Sequence, residues 1–500
     1  MSTLQPSREA FSALAAGGSR VIPVWTEIVA DGETPVSAYA KLGGEAPSFL
    51  LESAEQNDHV GRFSFLGAGA RAVISARGRK VTLTDAQGTR SWSSQSDPLA
   101  DLEELMRGYG CACGGTLTGF QGGAVGYLSY DSVRWFEPSV PPHGCDELGI
   151  PDMVFMIAAN ILIFDHRRRR LKIVSNAFLD GDDPACAYEE ASREIEGILE
   201  KLSCPIALPP LFTDVQVSDI EARSNTSREE YHAIVRKAQE HITAGDIFQM
   251  VPAQRFQTPF HHDALDLYRA LRFINPSPYM FCLRCPDGHS LVGSSPETHV
   301  RLTGRRVEIR PIAGTRRRGE TPEEDEATAQ ELLADPKERA EHLMLVDLAR
   351  NDVGRIAEFG SVRVSDFMTI ERYSHVMHIV SHVAGKLAAG RNAYDVMRAT
   401  FPAGTVSGSP KVRAMQIIAE LEKSKRCTYA GAVGYFGFDG DLDSCIALRT
   451  VLLKDGMAYA QAGGGVVADS TPEGEYQESV NKSMAALRAI AHASQIPRHP

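Results

Sequence analysis

Two stretches of the chain echo each other: GGAVGYLSYD, Gly122–Asp131, and AGAVGYFGFD, Ala430–Asp439. Both read as strands punctuated by glycine and ending at an aspartate turn. One such strand in each half of the chain fits two sheets that face one another, with the halves woven into a single body. Ten residues do not establish a duplication, and no low-complexity tract or solenoid period supports one. Working outward, residues 1–205 are strand-rich, through SFLLES, RAVISARGRKVTLTDA, MVFMIAANILIFD and RRLKIVSNAF, with Gly and Asp turns between them. Residues 206–226 are Pro-rich, polar and aperiodic, and read as a linker. Residues 227–492 form a second region that opens on a helix, because Ser227 and Glu230 stand at the spacing of a capping box. That helix is expected to run to Gly245, with a strand starting at Ile247.

The 500 residues suggest two or three conventional domains or one large two-sheet body. An apolar share of 43% allows a sizeable core. The net charge of −12 argues against a broad nucleic-acid surface. The N-terminus lacks a basic segment followed by an apolar core, so no signal peptide is expected. The longest apolar run, MVFMIAANILIF (Met153–Phe164), is too short for a bilayer and reads as a buried strand pair. Nine cysteines are scattered without zinc spacing, CLRC (Cys282–Cys285) included. They point to reduced thiols in a cytoplasmic protein without a membrane segment.

Two predicted helices carry carboxylates that packing does not require. In ADPKERAEHLMLVDLARNDVG, Asp335 is the expected N-cap, Pro336 takes the first position, Glu338 completes the cap, and Glu341 lies one turn further in. In YQESVNKSMAALRAIA, Val480, Met484, Leu487 and Ala491 form the apolar stripe, while Glu475, Glu478 and Lys482 lie on another face. Glu478–Lys482 is an exposed pair worth about 0.3 kcal/mol, or Glu341 and Glu478 approach each other and share a cation, for which magnesium is the usual solution.

In DSCIALRTVLLKDGMAYAQAGGGVV, strand alternation puts Cys445, Ala447, Arg449 and Val451 on one face. Arg449 then reaches the sheet edge or meets an anion, since an unpaired buried guanidinium is costly. Gly463, Gly464 and Gly465 offer bare N–H groups nearby, so the hairpin suits a small acid with carboxylate groups. GTVSGSPK (Gly404–Lys411) breaks the phosphate-loop spacing, and AGGGVV lacks the dinucleotide pattern. RYSHVMHIVSHV offers His375, His378 and His382, each either a satisfied strand residue or an acid/base group near neutral pH.

Taken together, PIAGTRRRG (Pro311–Gly319), ELLADPKERAEHLMLVDLARNDVGR, RYSHVMHIVSHV, FPAGTVSGSPK, YAGAVGYFGFDGDLDSCIALRT and QAGGGVVADSTPEGEYQESVNK resemble the chorismate-utilising enzymes. The resemblance is dense over Ser227–Ile490 and thinner before it. It implies an α+β fold of two large, mostly antiparallel sheets facing each other, with helices packed outside. It implies magnesium held by Glu341 and Glu478, and the enolpyruvyl carboxylate of chorismate held by Arg449 and Tyr429. Gly314, Thr315 and Gly463, Gly464 and Gly465 would wrap the substrate, with Lys482 on a substrate carboxylate. Glu297, in SSPE, would protonate the departing C4 hydroxyl; His378 would serve the final loss of pyruvate, and Thr405 would line the same pocket.

Relatives that make 4-amino-4-deoxychorismate carry a nucleophilic lysine where Ala313 stands, and those that add water carry a lysine base where Gln249 stands. With neither lysine present, the resemblance implies attack by ammonia at C2 and release of anthranilate and pyruvate, a lyase step of tryptophan biosynthesis. An enzyme that stops at 2-amino-2-deoxyisochorismate, an aminodeoxychorismate synthase and a non-catalytic tryptophan-binding regulator are the neighbouring readings. LLES (Leu50–Ser53) and NPSPYMF (Asn275–Phe281) resemble the halves of a tryptophan feedback site, carried by Ser53, Pro278, Tyr279 and Met280, so residues 1–205 would hold part of it. GYGCACGG (Gly108–Gly115) reads as a loop, not a nucleophile elbow. A separate glutamine amidotransferase subunit is therefore the expected ammonia source.

Overall fold

The structure is a computed structural model in which residues 4–53, 61–112, 119–181, 183–206, 208–213, 220–373 and 376–497 are described. The two echoing stretches form strands Gly123–Leu128 and Ala432–Gly437, which lie side by side and antiparallel, with Gly126 opposite Gly434 and Gly123 opposite Gly437. They therefore share one sheet instead of taking one place in each. Glycine is needed there because the neighbouring backbones approach closely: a β-carbon on Gly126 would stand 1.9 Å from the Val154 carbonyl oxygen, and one on Gly434 2.0 Å from that of Asp443.

This pair is the seam of a 12-stranded sheet, and an 11-stranded sheet has its own seam, Ser48–Glu52 against Tyr279–Arg284. Outward from each seam the strand order is the same in both halves. In the 11-stranded sheet Ser48–Glu52 is followed by Phe63–Ala68, Asn160–Asp165 and Arg170–Phe178; Tyr279–Arg284 is followed by Ser290–Ser295, Thr450–Lys454 and Met457–Gly463. In the other sheet Gly123–Leu128 is followed by Met153–Ala158, Ala70–Arg77 and Lys80–Asp85, and Ala432–Gly437 by Leu442–Ile446, Thr298–Thr303 and Arg306–Ile309. Phe49, Val125, Val154, Ile163, Phe281 and Val433 are buried in one cluster to which strands of both sheets contribute.

Each half passes twice from one sheet to the other, at Gly69 and Ala159 in the first and at residues 296–297 and 447–449 in the second. Two expectations change at these crossings. Met153–Ala158 and Asn160–Asp165 are buried strands, but they belong to different sheets and do not pair. Leu442–Ile446 and Thr450–Lys454 are likewise strands of different sheets, so no single face runs from Cys445 to Val451. Arg449 stands at that crossing in the left-handed region, with φ of 48°.

Helices cover the outer faces. Pro184–Ser203, Ala264–Ile274 and Pro472–Ala493 bury Ile195, Leu267, Leu271, Leu487 and Ile490 against the 11-stranded sheet. Pro336–Gly354 and Ala393–Thr400 bury Val346, Val353 and Met397 against the 12-stranded one, while Lys411–Leu421 packs Ile417 and Ile418 with Tyr231 and Val235. The fold is α+β, with two large antiparallel sheets and helices outside. Ser227 and Glu230 form the reciprocal capping box of helix Arg228–Thr243, which ends with Ala244 as its C-cap; the next strand starts at Gln249, not Ile247. Among the described residues no helix is long and apolar enough to cross a membrane. Cys282, Cys285, Cys427 and Cys445 are buried free thiols, but Cys111 is disulfide-bonded, so the expectation of reduced thiols fails there.

Candidate active site

The two crossings of the C-terminal half open on one cavity of about 760 Å³. Strand Ile312–Arg317, the loop after strand Met457–Gly463, and helices Pro336–Gly354 and Pro472–Ala493 complete its wall. Every residue expected to act on chorismate or hold the metal lines it except Gly464. A β-carbon on Gly464 would stand 2.6 Å from Glu475 Oε2 and 3.4 Å from Glu478 Oε1, so this glycine lets the loop close over two carboxylates.

Glu297 sits at the first crossing, 9% exposed, with its N–H donated to Ser295 Oγ and its carbonyl accepting from Ile446 N at 3.1 Å. Burial pushes its carboxyl up to about 7, against the opposing pull of Thr405, Lys482 and Arg449. Arg449, at the second crossing, donates to Asn275 Oδ1 at 3.4 Å, and its carbonyl accepts from Ser294 N. Burial lowers its pKa, and Glu297 partly restores it. Among the described residues Arg449 makes no ion pair.

Gly314 bulges out of strand Ile312–Arg317 with φ of 62°, between Ala313 opposite Ile379 and Thr315 opposite His378. His378 Nδ1 lies 3.0 Å from the Gly314 carbonyl oxygen and 3.1 Å from Thr315 Oγ1. A carbonyl can only accept, so Nδ1 carries the proton and Nε2 keeps its lone pair. Burial lowers the His378 pKa and favours this neutral ring. His382 pairs instead with Glu308 at 2.8 Å, and His375 lies outside the described residues.

Helix Pro336–Gly354 begins as the sequence suggests, with the Asp335 side chain accepting from Lys337 N and Glu338 N. Glu338 does not return to the cap; it pairs with Arg316 at 2.8 Å. Glu338 and Glu341 on this helix and Glu475 and Glu478 on the other all line the cavity, although among the described residues no three carboxylates stand close enough together to hold a metal ion. Glu341 keeps a solvent-facing surface, yet partial desolvation, then Glu338 and Glu478, raise its pKa. Burial and Glu478 likewise raise Glu475, whose Oε1 accepts from Ser470 Oγ at 2.6 Å and whose Oε2 is buried without a partner. The Glu478–Lys482 pair is present at 2.7 Å. Glu338 and Glu475 escaped the sequence reading as site residues, although ERAE and EYQE repeat one carboxylate spacing. Gln249 Oε1, Thr405 Oγ1 and Gln461 Oε1 also line the cavity, buried without a hydrogen bond of normal geometry.

A second cavity, of about 530 Å³, lies between the seams of the two sheets. Ser53, Pro278, Tyr279 and Met280 all line it, so the two stretches expected to meet do meet. Tyr279 Oη bonds Asp443 Oδ1 at 2.9 Å and Thr298 Oγ1 at 3.1 Å.

Residues 46–488 match the family model described as chorismate binding enzyme. The chain belongs to the chorismate binding enzymes. Within that family it is 45% identical over 496 residues to anthranilate synthase component 1 of Pseudomonas putida, covering 98% of this chain and 99% of the relative. It is also 45% identical to the protein of the same name from Aquifex aeolicus, covering 95% and 96%. Among solved structures it is similar to anthranilate synthase component I from Streptococcus pneumoniae, with a TM-score of 0.76 at 35% identity, covering 92% of this chain and 99% of that one. The menaquinone-specific isochorismate synthase of Escherichia coli shares the fold, with a TM-score of 0.71 at 18% identity, over 97% of this chain and 99% of that one.

Proposed function

We propose that the chain is the chorismate-binding component of an anthranilate synthase, joining ammonia to C2 of chorismate and releasing anthranilate and pyruvate. The observation that carries this reading is what the cavity wall lacks. Ala313 and Gln249 both line it, and neither offers a nucleophile or a base to activate water. A free small nucleophile then attacks the ring in place of a lysine amine at 313 or a water activated at 249.

The residues present supply the remaining work. Arg449, with no carboxylate partner of its own, and the Tyr429 hydroxyl hold the enolpyruvyl carboxylate. Lys482 meets a substrate carboxylate, and the N–H groups of Gly463 and Gly465, with Gly314 and Thr315, hold the ligand's outline. Glu297, near half-protonated at neutral pH, gives its proton to the C4 oxygen as that C–O bond breaks and nitrogen bonds to C2. The added nitrogen sheds its extra proton to solvent, and the resulting 2-amino-2-deoxyisochorismate loses its C2 proton to His378 Nε2 as the C3–O bond breaks; this aromatises the ring, and the departing enolpyruvate takes a proton at its methylene carbon to become pyruvate.

A hard divalent cation would relieve the crowding of the cavity carboxylates: Glu478 raises the pKa of both Glu341 and Glu475, and Glu475 Oε2 is buried unpartnered. Glu341 and Glu478 would hold magnesium, with Glu338 and Glu475 beside them, and magnesium would neutralise charge on the ring carboxylate. The central cavity is proposed to take tryptophan as a feedback inhibitor. The relatives' designation as component 1 supports a separate second component, which we propose is a glutamine amidotransferase that supplies the ammonia to a cytoplasmic lyase of tryptophan biosynthesis.

Purified chain with chorismate, excess ammonium just above neutral pH, where some Glu297 acid and some free ammonia are both present, and magnesium, followed by anthranilate fluorescence, tests this. Growing fluorescence is expected. Intact chorismate overturns the reading, and chorismate consumed without fluorescence assigns the chain to the enzymes that stop at the amino intermediate.

A further inference from the structure

Behind the cavity wall lies an ion pair that the steps above leave unused. The Arg426 side chain is wholly buried and is gripped by Glu422 through Nε at 2.9 Å and Nη2 at 2.6 Å. Its Nη1 donates to the Val406 carbonyl at 2.8 Å and its Nη2 to that of Val251 at 2.5 Å. The guanidinium stands 4.6 Å from the ring centre of Tyr130 and 5.6 Å from that of Tyr429. Glu422 Oε1 also accepts from Ala253 N at 2.9 Å.

One buried cation thus joins segments far apart in sequence. Val251, Val406 and Tyr429 all line the reaction cavity, and Thr405 precedes Val406 in the 3-10 turn Gly404–Val406 and acts on the Glu297 carboxyl. A buried ion pair is a poor source of net stability, because apolar residues of similar volume hold a core as well or better. Its distinctive property here is directional: the planar fork fixes two carbonyls and a carboxylate at once, which neither lysine nor an apolar side chain can copy.

We propose that Arg426, held by Glu422, is a positioning residue that sets the Thr405 turn and Tyr429 against Glu297 for reaction. The proposal rests on the cavity being the site of chorismate chemistry. The groups acting on Glu297 are Thr405, Lys482 and Arg449, and of these only Thr405 adjoins a residue that Arg426 holds.

Two variants test it with the full chain and ammonia as nucleophile. Arg426→Lys keeps the charge and loses the fork; Arg426→Met with Glu422→Leu removes both charges and leaves a core of similar volume. In both, kcat should fall about tenfold or more from misplacement alone, with KM for chorismate rising by a smaller factor, since Arg449 and Lys482 still hold the substrate carboxylates. The alkaline limb of the kcat profile should move to higher pH, because displaced Thr405 no longer lowers the Glu297 pKa. Thr405→Val should shift the limb alike and add little to Arg426→Lys, since both act through one contact. A folded Arg426→Lys enzyme with normal kcat and an unmoved limb overturns the proposal, as does recovery of normal kcat in the paired variant, which remains decisive if Arg426→Lys does not fold. Wild-type chain that makes no anthranilate overturns the parent reading and this one with it; normal wild-type turnover with indifferent variants overturns this one alone.

Discussion

Glu297 owes its proton affinity to the place where the chain leaves one sheet for the other. There its carboxyl is screened from water and reaches a pKa of about 7. In the proposed reaction the protonated form is the acid, present below that value and lost as pH rises through it. The kcat/KM for chorismate should therefore fall along an alkaline limb set by Glu297 in the free enzyme. Glu297→Gln should remove the limb and lower kcat by about a hundredfold to ten-thousandfold, measured by anthranilate fluorescence across pH; a limb that survives the substitution belongs to another group. At this scale the sequence was legible as far as placement goes: motifs named Glu297, Arg449 and His378, and all three line the one cavity. Spacing alone left Glu478 between two readings, and geometry keeps part of each: it pairs with Lys482 and also crowds Glu341 and Glu475. The bond from Asn275 to Arg449 was out of reach, since it joins residues 174 positions apart.

Strands and helices differed in how well local chemistry announced them. The caps at Ser227 and Asp335 were readable because a side-chain oxygen and its N–H targets lie within one turn. The crossings were not. In SCIALRTVLL the apolar pattern runs unbroken through residues 447–449, and the turn is made by Arg449 in a left-handed conformation instead of by glycine or proline. Nothing local reports that the strand has changed sheets. The seam glycines carry the opposite lesson, for their regular placement was visible while its cause, backbone contact with the next strand, was not. Gly434→Ala would press a methyl against the Asp443 carbonyl, 2.0 Å from the new carbon. It should cost about 1–3 kcal/mol, read as a lower urea midpoint at unchanged m. A midpoint within error of the parent's would mean that the seam yields.

Across the whole molecule, the seam cavity and the reaction cavity share structure. Tyr279 in the seam cavity bonds Thr298, the residue after Glu297. A ligand that moves Tyr279 therefore acts on the acid through a single hydrogen bond. If that ligand is tryptophan, Ser53→Phe should fill the cavity and raise the tryptophan needed for half inhibition about tenfold or more, with ammonia-dependent turnover retained; an unmoved inhibition curve would place the effector elsewhere. The pairing of distant halves that creates this cavity has a consequence during synthesis. Gly123–Leu128 must wait for Ala432–Gly437, about 300 residues downstream, to leave the ribosome. At about 5–20 residues per second that delay is roughly 15–60 s. Throughout it Gly123–Leu128 shows a bare edge, and Ser48–Glu52 does so until Tyr279–Arg284 emerges, each open to another chain. Residues 1–205 expressed alone should collect in the insoluble fraction, and co-expression with residues 206–500 should return them to solution; a soluble monomeric fragment would show that the first half closes its own edges. The interval between the two echoing stretches is thus also a span of time, during which a chaperone is the partner the half-made protein needs.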